Sequence, residues 1–223
     1  MSKTENITYI RPLVSFDATP RRQTETVRSE LLAICGALGL VGAFFPVITT
    51  LIATLLTDHD MVADTISDMG RGPLKWIMDT GFYVNAVGLA GLAVGAAHAH
   101  LGKERWSMGI FCLLALALVT ALLGLWDKFG GPGDMSAHTR LTYLLGPLYL
   151  AGPLLMAEGV RRISENMVRM FVLSSVLWIV LAVAFKLAPD SFDGILEKGA
   201  VLATMLWTVP LSWLFFMHTR VSA

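Results

Sequence analysis

Asp134 and His138 stand four residues apart in "GDMSAHTR", the spacing that places two side chains on one face of a helix. A carboxylate so placed can fix the tautomer of an imidazole and raise its basicity, which supplies half of a general base or of a metal site. In "SFDGILEKG", Asp193 and Gly194 make a turn and Glu197 enters a helix one turn later. The third segment, "ISDMGRGP" from Ile66 to Pro73, combines Ser67, Asp68 and Arg71 with Gly70 and Gly72, which let the backbone turn tightly. Asp68, Asp134, His138 and Glu197 are therefore the candidate catalytic residues, able together to do acid–base chemistry. Plainer readings stand beside this one: Asp134 as a helix cap, His138 at the headgroup level, and Asp193 with Glu197 as a capping box.

The elements that position these residues are apolar. The hydrophobic fraction is 55% against 15% charged, with a mean hydropathy of +0.63, where a soluble domain is about a quarter charged. Apolar runs fall near Leu31–Leu56, Trp76–Ala97, Trp106–Trp126, Leu141–Ala157, Met170–Leu187 and Gly199–Met217. About 20 residues cross a bilayer as a helix, and no alternating barrel pattern is present. The expected fold is an all-α polytopic membrane protein, a six-helix bundle over 31–218, with a polar tail over 1–30 and a short C-terminus over 219–223. Pro147 and Pro153 in the fourth run, Pro46 in the first and Pro210 in the last predict kinks.

Charge sets the expected orientation. Lys3, Arg11, Arg21, Arg22, Arg28, Lys103, Arg105, Arg161, Arg162, Arg169 and Arg220 fall on the side of the termini, against Arg71, Lys75, Lys128, Arg140, Lys186 and Lys198 on the other. Positive charge is retained in the cytoplasm, so both termini are expected there, in a multi-pass protein of the inner or plasma membrane. The tail lacks the apolar core of a signal peptide and reads as cytoplasmic. Cys35 and Cys112 lie inside apolar runs and read as small core residues, with no disulfide expected. With net charge zero and no basic stripe, nucleic acid is not an expected partner.

Ser67, Asp68, Asp134, His138, Asp193 and Glu197 all fall on the extracytoplasmic side by this reading. His59 shares that side, whereas His98 and His100 do not. A closed zinc site is therefore not expected; no cofactor is expected, and a hard divalent cation at the carboxylates stays open. Asp79 and Asn85 enter the second run, followed by Gly91 and Gly95 in a GxxxG spacing that permits close helix contact, within the bundle or with a protein partner or second copy.

The order of "ISD-x-G" after the first run, a His-bearing start to the fourth and "G-x-x-E-K" entering the sixth resembles the six-helix bacterial and archaeal family called domain of unknown function 998. The "ISD-x-G" phrase is also similar to the DRAM and Frag-type membrane proteins, whose relatives include a factor that remodels the lipid of glycosylphosphatidylinositol anchors. The likeness runs from about Leu31 onward. It implies the six-helix fold and picks out Ile66, Ser67, Asp68, Gly70, Gly81, Gly88, Asp134, His138, Gly194 and Glu197, with Ile66, Ser67 and the four glycines as a structural motif. Met69 replaces a usual leucine, and Asp79 stands where asparagine is usual. The resemblance implies a site location and no reaction.

The primary functional expectation is a non-enzymatic bundle that binds or senses lipid or assists assembly, its extracytoplasmic loops tied by a polar lock that includes ion pairs among Asp68, Arg71, Glu197 and Lys198. The alternative is a lipid-modifying enzyme acting on an acyl or headgroup ester through Asp68, Asp134, His138 and Glu197; a small transporter is third. Membrane lipids are the expected partners. "ISDMGRGP" is expected to fold inward over the outer mouth, with Asp68 contacting the start of the fourth or the sixth helix.

Overall fold

Each apolar run forms a helix because a backbone in hydrocarbon must satisfy its own hydrogen bonds. The computed structural model describes residues 20–70, 72–125 and 137–221. Helix α1 spans Pro20–Leu56, α2 Ile66–Met69, α3 Lys75–Ala99, α4 Glu104–Leu123, α5 Ala137–Arg161, α6 Glu165–Leu187 and α7 Asp193–Val221, with one 3-10 turn at Asp190–Phe192. There is no strand among the described residues. Six of these helices, all but α2, are long and apolar enough to cross a membrane. The chain is a multi-pass membrane protein.

The helices extend beyond the apolar runs at several ends. Helix α1 starts at Pro20, inside the segment expected as tail, and α5 covers 25 residues because its polar ends, Thr139–Arg140 and Glu158–Arg161, stay helical. Ser164 caps α6 by accepting from the Met167 amide.

Short connections make sequence neighbours antiparallel, and α7 packs back on α1, so the six long helices form a ring in the order α1, α3, α4, α5, α6, α7. The start of α1 and the end of α7 share one end; the other, the loop end, carries α2. Trp106, Phe171, Trp207, Phe215, Leu113 and Met156 fill the interior of the ring, and Ile34, Val41, Phe44, Ile48, Leu51 and Leu55 of α1 face outward toward the bilayer. Beneath the loop end a smaller cluster holds Ile66 and Met69 of α2 against Ala53, Ile77 and Met78.

Pro46 shows how the ring tolerates kinks. A proline cannot donate to the carbonyl four residues back, here Gly42. That carbonyl accepts from Asn85 Nδ2 of α3 at 2.8 Å, so the amide repairs the gap that the proline makes. The helices come close enough for this because Gly42 and Gly88 meet backbone to backbone: a Cβ on Gly88 would lie 2.7 Å from the Gly42 Cα. Gly91 and Gly95 are also used inside the chain, Gly91 against Leu38 and Gly95 against Cys35 and Phe215, so this GxxxG face is filled by α1 and α7. On the far side of the ring, Ser175 donates to the Leu150 carbonyl at 2.9 Å, three residues before Pro153, and Trp178 Nε1 to the Gly146 carbonyl at 3.2 Å. Cys35 and Cys112 are buried and free.

Asn85→Ala should lower stability by about 1 kcal/mol, the scale of an interhelical hydrogen bond in a membrane. Gly88→Val, which forces α1 and α3 apart, should cost on the order of 1–3 kcal/mol. Thermal unfolding of the purified protein in detergent reads both, with Gly88→Val expected to melt lower.

Candidate functional site

The site is built by one hydrogen-bond requirement. The first amides of a helix have no partner inside it. In α7 two of them donate to the α1–α3 loop: Gly194 N to the Ala63 carbonyl at 3.1 Å and Ile195 N to the Val62 carbonyl at 3.0 Å. Gly194 is needed here, since a Cβ would run into the Asp64 carbonyl. One turn on, Lys198 Nζ donates to the carbonyls of Asp64 at 2.7 Å, Met61 at 3.2 Å and Gly194 at 3.3 Å. Its neighbour Glu197 accepts from the Ile66 amide through Oε2, tying residues 131 positions apart.

The loop is shaped to meet this helix start. The Asp60 carboxylate accepts from the Val62 and Ala63 amides, and Asp64 Oδ2 accepts from the Asp60 amide. Thr65 and Asp68 then form a reciprocal capping box around α2, with Asp68 Oδ2 accepting from Thr65 N at 2.9 Å and Thr65 Oγ1 at 2.7 Å. Gly70 closes the turn as C-cap.

Ser67 sits at the centre. Its Oγ lies 3.1 Å from His138 Nε2 at the start of α5, while the Ile66 amide beside it donates to Glu197. The "ISD" segment thus joins three elements, with Ile66 reaching α7 and Ser67 reaching α5. A hydroxyl beside an imidazole can share a hydrogen bond with it or deliver its proton to it.

Of the candidate residues, His138 and Glu197 converge on α2, His138 at the Ser67 hydroxyl and Glu197 at the Ile66 amide. Asp68 does not: it is exposed and bound to Thr65, because the capping box holds its carboxylate at its own helix start. The expected contact of Asp68 with the fourth or sixth helix is therefore made instead by its neighbours Ser67 and Ile66. Asp134 and Arg71 lie outside the described residues. The expected capping box of Asp193 and Glu197 is absent as well, since Glu197 serves the amide of Ile66 and not that of its own helix. The expected ion pairs of Asp68, Glu197 and Lys198 are replaced by bonds from charged groups to backbone, with Lys198 on three carbonyls. Asp79 pairs with Lys75 at the start of α3, where the lysine also reaches the Gly124 carbonyl at 3.4 Å. Gly81 packs on Thr49 and Gly88 on Gly42. Among the described residues no three His, Cys, Asp or Glu side chains converge as a metal site would require.

Sequence reasoning passed over His59. Its side chain is only 4% exposed, with Nδ1 3.7 Å from Asp64 Oδ2 and Nε2 buried without a hydrogen-bond partner. Burial holds its pKa below the usual imidazole range, and Lys198 adds to the effect, while Asp64, Asp68 and Asp60 oppose it. Asp60 is held below the usual carboxylate range by the Val62 and Ala63 amides. The signal in the sequence was "TDHD", a histidine flanked by acids that can pair with it.

The folded protein favours neutral His59. Its contribution is fully present above the ordinary value of 6.5 and is lost as pH falls from there through the lower folded value. The melting temperature of the wild type should thus fall between about pH 7.5 and about pH 5.5, and His59→Gln should remove that part of the fall. Melting curves of the two proteins at both pH values check it.

No curated protein and no solved structure matches the chain, so the likeness to DRAM and Frag-type proteins rests on the short "ISD-x-G" phrase alone. A protein family does match: the one described as protein of unknown function (DUF998) covers residues 40–214, from within α1 to within α7, and takes in every element of the site just described. By that match the chain belongs to the DUF998 family of proteins of unknown function.

Proposed function

We propose that the protein works as a binding bundle in the cell membrane, its termini cytoplasmic and its extracytoplasmic end held closed by a polar lock between the α1–α3 loop, α5 and α7. The work this suits is lipid binding, sensing or assembly. The observation that carries the reading is the bond from the Ile66 amide to Glu197, because it commits the most polar side chain at the mouth to holding backbone in place. Asp60, Asp64, Lys198 and the first amides of α7 are engaged the same way. The Lys and Arg bias supports the orientation, and the apolar outward faces make lipid the natural neighbour.

A second reading has its own observation. Ser67 Oγ and His138 Nε2 are 3.1 Å apart, the distance of a nucleophile and its base, and this favours a lipid-modifying enzyme in which the lock positions the reacting groups.

Glu197→Ala tests the lock. It leaves the Ile66 amide without its acceptor and should cost about 1–3 kcal/mol, seen as a lower melting temperature. Limited proteolysis should then cut first within residues 57–74. An unchanged melting point with an equally resistant loop would contradict the lock.

A further inference from the structure

Ser67 differs from most hydroxyls of the bundle, which donate to backbone carbonyls, Ser174 and Ser175 across to other helices. Thr49, Thr54, Thr57, Thr80, Thr208 and Ser212 each donate to a carbonyl three or four residues back in their own helix, as buried Ser and Thr generally do. Ser67, at the second position of α2, has no helical turn behind it to supply such a carbonyl, and what its hydroxyl meets is an imidazole nitrogen. Its position is also fixed, because the Ile66 amide beside it is held by Glu197 and the two side chains flanking it in α2, Ile66 and Met69, are buried. Ser67 and His138 are both only part-buried, so a substrate can reach them. Met61, Val62 and Ile195 of the same knot are exposed and give the site an apolar lip.

We propose, building on the second reading above, that Ser67 is a nucleophile with His138 as its base, and that the site takes long-chain carboxylic esters of membrane lipids. The Ser67 Oγ–H proton passes to His138 Nε2 as Oγ bonds to the ester carbonyl carbon. The bond from that carbon to the alcohol oxygen then breaks, and the alcohol leaves with the proton from His138. Water completes the cycle: His138 takes a proton from it, the hydroxide oxygen bonds to the acyl carbon, the Oγ–acyl bond breaks and Ser67 recovers the proton. The products are a fatty acid and an alcohol, and no oxidant or metal enters the balance. Glu197 acts here as a positioning residue. The alternative hydrogen-bond arrangement, in which His138 Nε2–H donates to Ser67 Oγ, leaves no base on the serine and makes the pair a structural tie with no nucleophile.

The two arrangements differ toward an alkyl fluorophosphonate, which bonds to a serine only when its proton is drawn off. Wild-type protein in lipid nanodiscs, treated with such a probe, should be labelled, and mass spectrometry should place the adduct on the peptide containing Ser67. His138→Ala should slow labelling by about 10²-fold or more, the scale of a general base. Labelling by wild type and His138→Ala at equal rates would overturn the role of His138. No adduct on Ser67 in wild-type protein that melts cooperatively would overturn the nucleophile and leave the lock untouched, since the lock is read from the melting of Glu197→Ala and not from labelling.

Discussion

The unsatisfied amides at the start of α7 are the constraint on which the loop end depends. The first N–H groups of a helix have no partner inside it and must find acceptors elsewhere. This chain supplies them from the α1–α3 loop, as the carbonyls of Ala63 and Val62. Once those two bonds form, the remaining contacts follow by position. Lys198, one turn into α7, comes over the carbonyls of Asp64 and Met61, and Glu197 beside it comes under the Ile66 amide. These bonds hold the loop on α7, and α2 presents Ser67 to His138.

The same accounting explains the middle of the ring. Proline in α1 leaves the Gly42 carbonyl open, and Asn85 of α3 closes it across a crossing where Gly42 and Gly88 meet backbone to backbone. In both places one element leaves a backbone group open and a distant element satisfies it. Such bonds join segments far apart in sequence, so they contribute to a unique packing as well as to stability, in a solvent where apolar contact alone discriminates poorly between arrangements.

How much was legible in the sequence follows from this distinction. The helices were legible, since apolar length is a local property and every run became a helix, though α5 outran its apolar stretch because Thr139 and Arg140 stay helical. The position of "ISDMG" at the mouth was legible from its glycines and its place between two spans. Which residue of it does what was not. Asp68 has the right chemistry to reach another helix, but Thr65 three residues earlier competes for it at no cost in loop closure and wins. Asp193 and Glu197 carry the spacing of a cap, yet the amide that Glu197 accepts from is 131 residues away, beyond any local pattern. His59 was passed over because burial, which makes it informative, is set by α7 closing over the loop. The family match adds that these elements belong to DUF998, whose reaction and ligands the match leaves open.

The α1–α3 loop seated on α7 organises the whole loop end, and disulfide trapping reads that seating. Val62→Cys and Ile195→Cys, placed together in a chain with Cys35 and Cys112 changed to Ser, put thiols at two exposed positions whose backbones are hydrogen-bonded at 3.0 Å. Residues whose backbones share a hydrogen bond have neighbouring Cα atoms, and a disulfide spans about 4.4–6.8 Å between Cα atoms. Mild oxidation of native membranes should link the pair rapidly, joining the N- and C-terminal fragments after proteolysis between them. Failure to link, with each single cysteine still reactive toward a maleimide, would show that the loop does not lie on α7 and would contradict the account.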